Sequence, residues 1–156
     1  MFIMVKIEIR EATEKDLPEV LSLFKQPDVD QEIVPIKKAQ GIFNRIKNYP
    51  DYKIYVAKAD KQVVGTFALL IMDKLSHMGA KSGVVDDVVV HKGWQGRGIG
   101  KKMMQFAMDR CREVGCYKLA LTSDAKREAA HQFYEKLGFK KHGYSFVIEL
   151  ATKGKE

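Results

Sequence analysis

Cysteine is nearly absent: Cys111 and Cys116 are the only two among 156 residues. Two thiols make no disulfide framework, and they lack the CxxC spacing or neighbouring histidine pairs of a metal site, so no metal is expected. Both read as ordinary buried thiols packing as small apolar side chains. Long apolar runs are missing too. No stretch approaches the roughly 18 uninterrupted apolar residues of a membrane span, and the N-terminus has no apolar signal core followed by a small-residue cleavage site. A soluble, cytoplasmic protein without a membrane partner is the expectation. Nor is there a run of basic residues with interspersed aromatics, the mark of a nucleic-acid stacking platform. The net charge is nevertheless +7. Because basic and acidic residues are interleaved, nucleic acid is a disfavoured partner, and a small polyanionic ligand explains the excess equally well.

What is present is 46% hydrophobic content, enough for one substantial core and short for two, so a single domain over 1–156 is expected. Lys6 to Arg10 alternates charged and apolar residues as a half-buried strand does. Thr13 is placed to cap a following helix that carries Val20, Leu21 and Phe24 on its apolar stripe and stops near Pro27. A second helix is expected from about Ile36 to Lys47, although Gly41 weakens it, and Pro50 closes it. Ile54 to Ala59 and Gln62 to Met72 read as two antiparallel strands joined at Asp60-Lys61. After a polar segment from Asp73 to Ser82, Gly83 to Val90 is an apolar strand interrupted by Asp86 and Asp87. Ile99 to Val114 has helical spacing and ends at Gly115. Cys116 to Thr122 is a strand, Ala129 to Leu137 a short helix, and Phe139 with Tyr144 to Leu150 supplies further strand. The fold class is α/β, a mixed sheet flanked by helices.

The strongest local signal is Gln95-Gly96-Arg97-Gly98-Ile99-Gly100-Lys101, directly after a strand and opening a helix. Glycines there let a ligand approach main-chain N–H groups that are unpaired at a helix N-terminus and carry the positive end of its dipole. A phosphate or pyrophosphate fits, with Arg97 and Lys101 adding charge at the rim. Spacing discriminates among ligands. The dinucleotide fingerprint needs G-x-G-x-x-G and the triphosphate loop needs G-x-x-x-x-G-K-[ST]; neither is met.

What does match is Q/R-x-x-G-x-G/A, in Gln95, Gly98 and Gly100, and this resembles the coenzyme A pyrophosphate motif of the GNAT superfamily of N-acetyltransferases. His131-Gln132-Phe133-Tyr134-Glu135-Lys136-Leu137-Gly138-Phe139 resembles its second signature, a helix closing over the coenzyme. Val85-Asp86-Asp87-Val88-Val89-Val90 is similar to its central strand, which splays from the strand beginning near Cys116. The resemblance covers roughly 52 to 150 and is weaker over the first strand and helix. It implies a mostly antiparallel twisted sheet with a splayed strand pair, acetyl-CoA as cosubstrate, and direct acetyl transfer to a primary amine in a ternary complex. It further implies coenzyme contacts from Val88, Val89 and Val90, from Gln95 to Lys101, and from Lys136. A main-chain N–H near Val88 would polarise the acetyl carbonyl. Tyr134 matches the tyrosine that protonates the departing thiolate, and Asp86 or Asp87 would take the amine proton, directly or through water. Both aspartates could equally be structural carboxylates at a sheet bulge, and His131 is a rival base. Arg127 stands where many relatives have asparagine, which leaves its role open between coenzyme phosphate, acceptor anion and neither.

Two subgroups look nearest. Gly115 to Leu119 and the aspartate strand resemble glucosamine-6-phosphate N-acetyltransferases, whereas Lys126-Arg127 and Ala130 to Tyr134 resemble aminoalkylphosphonate N-acetyltransferases. Thr122 replaces an acidic residue of the former. Lys37, Lys38, Lys74 and Lys81 could favour an anionic amine, although a solvated lysine face explains them too. A protein amine, a non-enzymatic coenzyme-binding module and a nucleic-acid-binding regulatory module are the alternatives. Oligomeric state stays open: exposed strand near the C-terminus could pair across a homodimer, as in many relatives.

Overall fold

The computed structural model describes residues 5–27, 29 and 32–152. Its first compact unit ends at Leu121 and its second begins at Thr122. In the first unit, β1 (Ile7–Glu11), α1 (Leu17–Phe24), α2 (Ile36–Ile46), β2 (Tyr52–Ala59), β3 (Gln62–Met72), β4 (Lys81–Val90), α3 (Ile99–Val114) and β5 (Cys116–Ala120) follow one another. The strands form one sheet in the order β1-β2-β3-β4-β5. All neighbours are antiparallel except β4 and β5, which α3 connects as a parallel pair. The expected mixed, mostly antiparallel sheet with flanking helices is therefore observed.

Alternation along the strands sends side chains to two apolar layers. On one face Val56 and Ile54 pack with Leu17, Val20 and Leu23 of α1 and Phe43 of α2. On the other, Tyr55 meets Phe106 of α3 at a ring-centroid distance of 5.0 Å and stacks on Phe67 at 5.1 Å. Helix α3 lies so close to the sheet that a Cβ on Gly83 would stand 2.5 Å from Cys111 Sγ. Cys111 itself is buried, and that burial, reinforced by Cys116, pushes its thiol pKa up to about 12. Such a thiol stays protonated and inert at neutral pH, in keeping with a packing role.

Thr13 stands at the N-cap as expected, ahead of a 3₁₀ turn, Glu14–Asp16, that precedes α1, and it forms a reciprocal capping box with Asp16. The Thr13 N–H and hydroxyl both donate to Asp16 Oδ2, at 2.7 and 3.1 Å. Asp16 also takes a two-pronged hydrogen bond from Arg10, at 2.7 and 3.0 Å, so this nearly buried carboxylate joins β1 to α1.

The second unit holds α4 (Glu128–Lys136). Gly138, at φ +102, ends it, and the Phe139 N–H returns to the Tyr134 carbonyl at 3.0 Å. The expected strand from Tyr144 to Leu150, with Phe139, is not formed among the described residues. Its apolar, β-branched composition favours extended backbone, but a strand also needs a neighbouring ladder. Here Tyr144, Phe146, Val147, Ile148 and Leu150 are each at least 77% exposed.

Candidate functional site

The functional part of the first unit is built on the second half of β4. Pairing with β5 runs only from Lys81–Cys116 to Val84–Ala120. Beyond Val84 that edge of β4 has no β5 partner, which is the expected splay. On its other edge β4 pairs with β3, but the register breaks: Thr66 faces Val89 and Ala68 faces Asp86, so Phe67 is opposed by both Asp87 and Val88. This is a β-bulge, and Asp87 takes the left-handed conformation, φ +51, that such an insertion demands. The Asp87 N–H is held by the preceding carboxylate, donating to Asp86 Oδ1 at 2.9 Å.

The bulge explains why two aspartates interrupt an apolar strand. Short carboxylates tolerate left-handed backbone and can satisfy the freed N–H locally. It also separates their surroundings. Asp86 is committed to the bulge, whereas Asp87 lies on the wall of a cavity beneath α1 and α2.

Past the bulge, the His91 N–H donates to the Val64 carbonyl at 2.8 Å. Peptide groups alternate in direction along a strand, so Val90, and Val88 two residues before it, turn their N–H and C=O toward the splayed edge. The Val90 carbonyl there accepts from the side-chain amides of Gln26, at 3.2 Å, and Gln95, at 3.4 Å. Gln26 also accepts the Lys92 N–H at 2.6 Å. No local pattern marked Gln26 in the sequence, because its partners lie more than sixty residues away.

Residues 95–98 then form a loop into α3, with Gly96 at φ +76 and Gly98 at φ +82. A Cβ on either would meet nothing within 4 Å, so the backbone is open in front of α3. The first α-helical bond of α3 runs from the Lys102 N–H to the Gly98 carbonyl, 3.1 Å. The N–H groups of Ile99, Gly100 and Lys101 precede it and have no acceptor within the helix. Arg97 stacks over Trp94 at 4.6 Å, which holds its guanidinium beside the loop. An open cradle of donors, a helix dipole and nearby cations suits a pyrophosphate.

In the second unit, α4 carries Tyr134 and Lys136, with Arg127 at its N-cap. The Tyr134 ring lies edge-on to Phe133 at 5.1 Å and Phe139 at 5.7 Å. Burial raises the Tyr134 pKa above the ordinary phenol value, with Arg127 opposing, so the hydroxyl keeps its proton at neutral pH. His131 Nε2 is 2.7 Å from the Asp124 carbonyl, a contact that ties the turn before α4 together. Among the described residues, no group of three or more His, Cys, Asp or Glu is arranged to hold a metal ion, and no helix is long and apolar enough to cross a membrane.

With this geometry in place, similarity to other proteins becomes informative. The profile of the Acetyltransferase (GNAT) family matches residues 14–139. A glucosamine 6-phosphate N-acetyltransferase of Trypanosoma brucei brucei is 29% identical over 94% of this chain and 98% of its own. An aminoalkylphosphonate N-acetyltransferase of Salmonella typhimurium is 25% identical over 95% of this chain and 94% of its own. The crystal structure of glucosamine-6-phosphate N-acetyltransferase from Arabidopsis thaliana superposes with a TM-score of 0.82 at 26% identity, covering 94% of this chain and 99% of that one.

Proposed function

The chain belongs to the GNAT family of acetyltransferases, transferring acetyl from acetyl-CoA to a small amine, and on that premise we propose how its residues divide the work. The observation that carries the reading is the second half of β4, where a bulge, a strand edge beyond the β5 pairing and the glycine loop of α3 follow within fifteen residues. Acetyl-CoA supplies the activated acetyl group. Residues 95–101 bind its pyrophosphate through the open N–H groups at the start of α3, and Lys136 and Arg127 add positive charge. The outward peptide groups of Val88 and Val90 align the pantetheine arm as an added strand, with Val89 packing behind them. A Val88 N–H aimed at the acetyl oxygen stabilises the negative charge that develops there, an interaction that strengthens as the reaction proceeds.

Amines arrive protonated, and Asp87 is the better placed base of the two aspartates because it lines the cavity beneath α1 and α2. Asp87 accepts a proton from the ammonium, the neutral nitrogen forms the amide bond as the thioester bond breaks, Tyr134 donates its proton to the departing sulfur, and the second proton that the nitrogen sheds on becoming an amide returns the tyrosinate to phenol. The raised Tyr134 pKa means that the phenol carries its proton when the thiolate departs, and donation then depends on its proximity to the sulfur. Transfer is direct, without an acetyl-cysteine, and the elevated Cys111 pKa fits that reading. The chain works as one catalytic domain, and its unpaired cysteines and cosubstrate suit the reducing cytoplasm.

The exposed apolar run from Tyr144 to Leu150 supports a homodimer, in which a second copy provides the ladder and cover that the single chain does not.

The test of the mechanism is Tyr134→Phe, assayed by thiol release from acetyl-CoA together with calorimetric coenzyme binding. The expected result is turnover lower by about 10²-fold with coenzyme affinity kept within a factor of about two. Full turnover with chemistry rate-limiting would remove Tyr134 as the proton donor.

A further inference from the structure

The cavity beside Asp87 has a character of its own. Its volume is about 320 Å³, at the lower end of the range for small-molecule sites, roughly 300–1,000 Å³. It lies where α2 packs mainly against α1, and its lining includes Ile42 and Ile46 of α2 together with Ile54 and Ala68 of the sheet. Several lining side chains, among them Leu21 and Phe24, are only half-buried, so the space opens to solvent. Among its described lining residues the polar ones are Tyr52, Thr66 and Asp87, and none is Lys, Arg or His.

That composition discriminates among amines. The Thr66 hydroxyl already donates to the Tyr55 carbonyl at 2.8 Å. The Tyr52 phenol is pushed further from ionisation by burial and by the charges of Asp87 and Asp86, which makes it a neutral hydroxyl. A phosphate or a ring bearing several hydroxyls would lose its water against these walls without replacement hydrogen bonds, at a cost of kilocalories for each group. The lysines that the sequence offers to an anionic acceptor do not compensate. Lys37 and Lys38 are exposed, Lys81 pairs with Asp73, and none of Lys37, Lys38, Lys74 and Lys81 lines the cavity. What the cavity does match is an apolar body carrying one cationic nitrogen, with the charge toward Asp87 and the hydrocarbon against α1 and α2.

We infer that this cavity is the acceptor site and that it selects a primary amine with an alkyl or arylalkyl body over a phosphorylated sugar or a phosphonate. The inference rests on the proposed acetyl transfer at β4 and names the acceptor class for that same site. Asp87 is common to both: it lines the cavity and belongs to the bulge at which the splayed edge begins, so the amine would reach the thioester while its body remains enclosed.

The experiment uses the full chain with acetyl-CoA and three amines: phenethylamine, glucosamine 6-phosphate and 2-aminoethylphosphonate. The expected result is a kcat/KM for phenethylamine at least about 100-fold above either anionic amine. Equal or reversed preference would overturn the apolar-acceptor inference while leaving acetyl transfer intact. Transfer to none of the three would overturn both. A second variant, Ala39→Leu, adds methyl groups to a lining position on α2 without a helix-propensity cost. It should raise KM for phenethylamine at least about 10-fold, with coenzyme binding preserved as the check on folding. An unaltered KM would show that the acceptor body lies elsewhere and would sink the inference.

Discussion

A pair of glycine substitutions separates the coenzyme role of the α3 loop from its structural role. Gly98 precedes α3 and Gly115 follows it, with φ of +82 and +85, and at both positions a Cβ would find open space within 4 Å. Gly98→Ala and Gly115→Ala therefore carry the same backbone cost, about 1–2 kcal/mol for an L-residue held in the left-handed region. For a chain of this size each should lower Tm by a few degrees, at roughly 2–4 °C per kcal/mol. Only Gly98 stands in front of the donors of Ile99, Gly100 and Lys101. Its new methyl occupies the space a pyrophosphate would enter, and relaxation out of the left-handed region would turn the loop N–H groups aside. Losing one charge-assisted hydrogen bond of about 1.5–3 kcal/mol weakens coenzyme binding by roughly 10- to 100-fold. Differential scanning calorimetry and isothermal titration with acetyl-CoA on both variants give the two readouts. The expected pattern is a matched fall in Tm with a loss of affinity confined to Gly98→Ala. Equal affinities in the two variants would refute the assignment of this loop as the phosphate cradle.

Two further outcomes follow from the geometry. Hydrogen bonds from Arg10, with the Thr13 N–H adding to them against the cost of burial, hold the Asp16 carboxyl at about 2, below its usual 3.8; a depressed folded pKa stabilises the fold above pH 4 and ceases to do so as pH falls toward 2. That dependence is worth about 2 kcal/mol, and chemical denaturation of Asp16→Asn between pH 5 and 2 should show both a lower stability and the loss of that pH slope; an unchanged slope would place the acid sensitivity elsewhere. Sedimentation of the full chain should show a dimer that Phe146→Asp with Ile148→Asp converts to a monomer, these side chains being 91% and 81% exposed in the single chain; a monomeric parent chain would remove the homodimer reading.

Much of the site was legible because its signals are local. Backbone freedom at Gly96 and Gly98, the helical spacing of Ile99 to Val114 and the stop at Gly115 depend on neighbours within a turn or two, and they specified α3 and its donor-rich start before any fold was known. The same holds for the hairpin at Asp60, whose φ of +55 closes the turn between β2 and β3. Other features depend on pairing across the sheet. Asp86 and Asp87 were visible as an anomaly in an apolar strand, but their division into a bulge-holding carboxylate and a cavity-lining one follows from the β3 register, which slips at Phe67. Gln26 reaches β4 from the end of α1, and the cavity depends on how two helices share one sheet face. The segment from Tyr144 to Leu150 shows the limit from the other side. Its residues favour a strand, yet propensity supplies only an extended backbone, and the hydrogen-bonded partner that makes a strand is a tertiary matter. Sequence by itself determined most of the elements, the glycine-rich start of α3 and the family; tertiary structure decided which carboxylate holds the bulge and which lines the cavity, and what side chains that cavity presents. The physical reason is range: turns and helix termini are settled by contacts a few residues apart, whereas register, cavities and edges are settled by residues the chain brings together from far along its length.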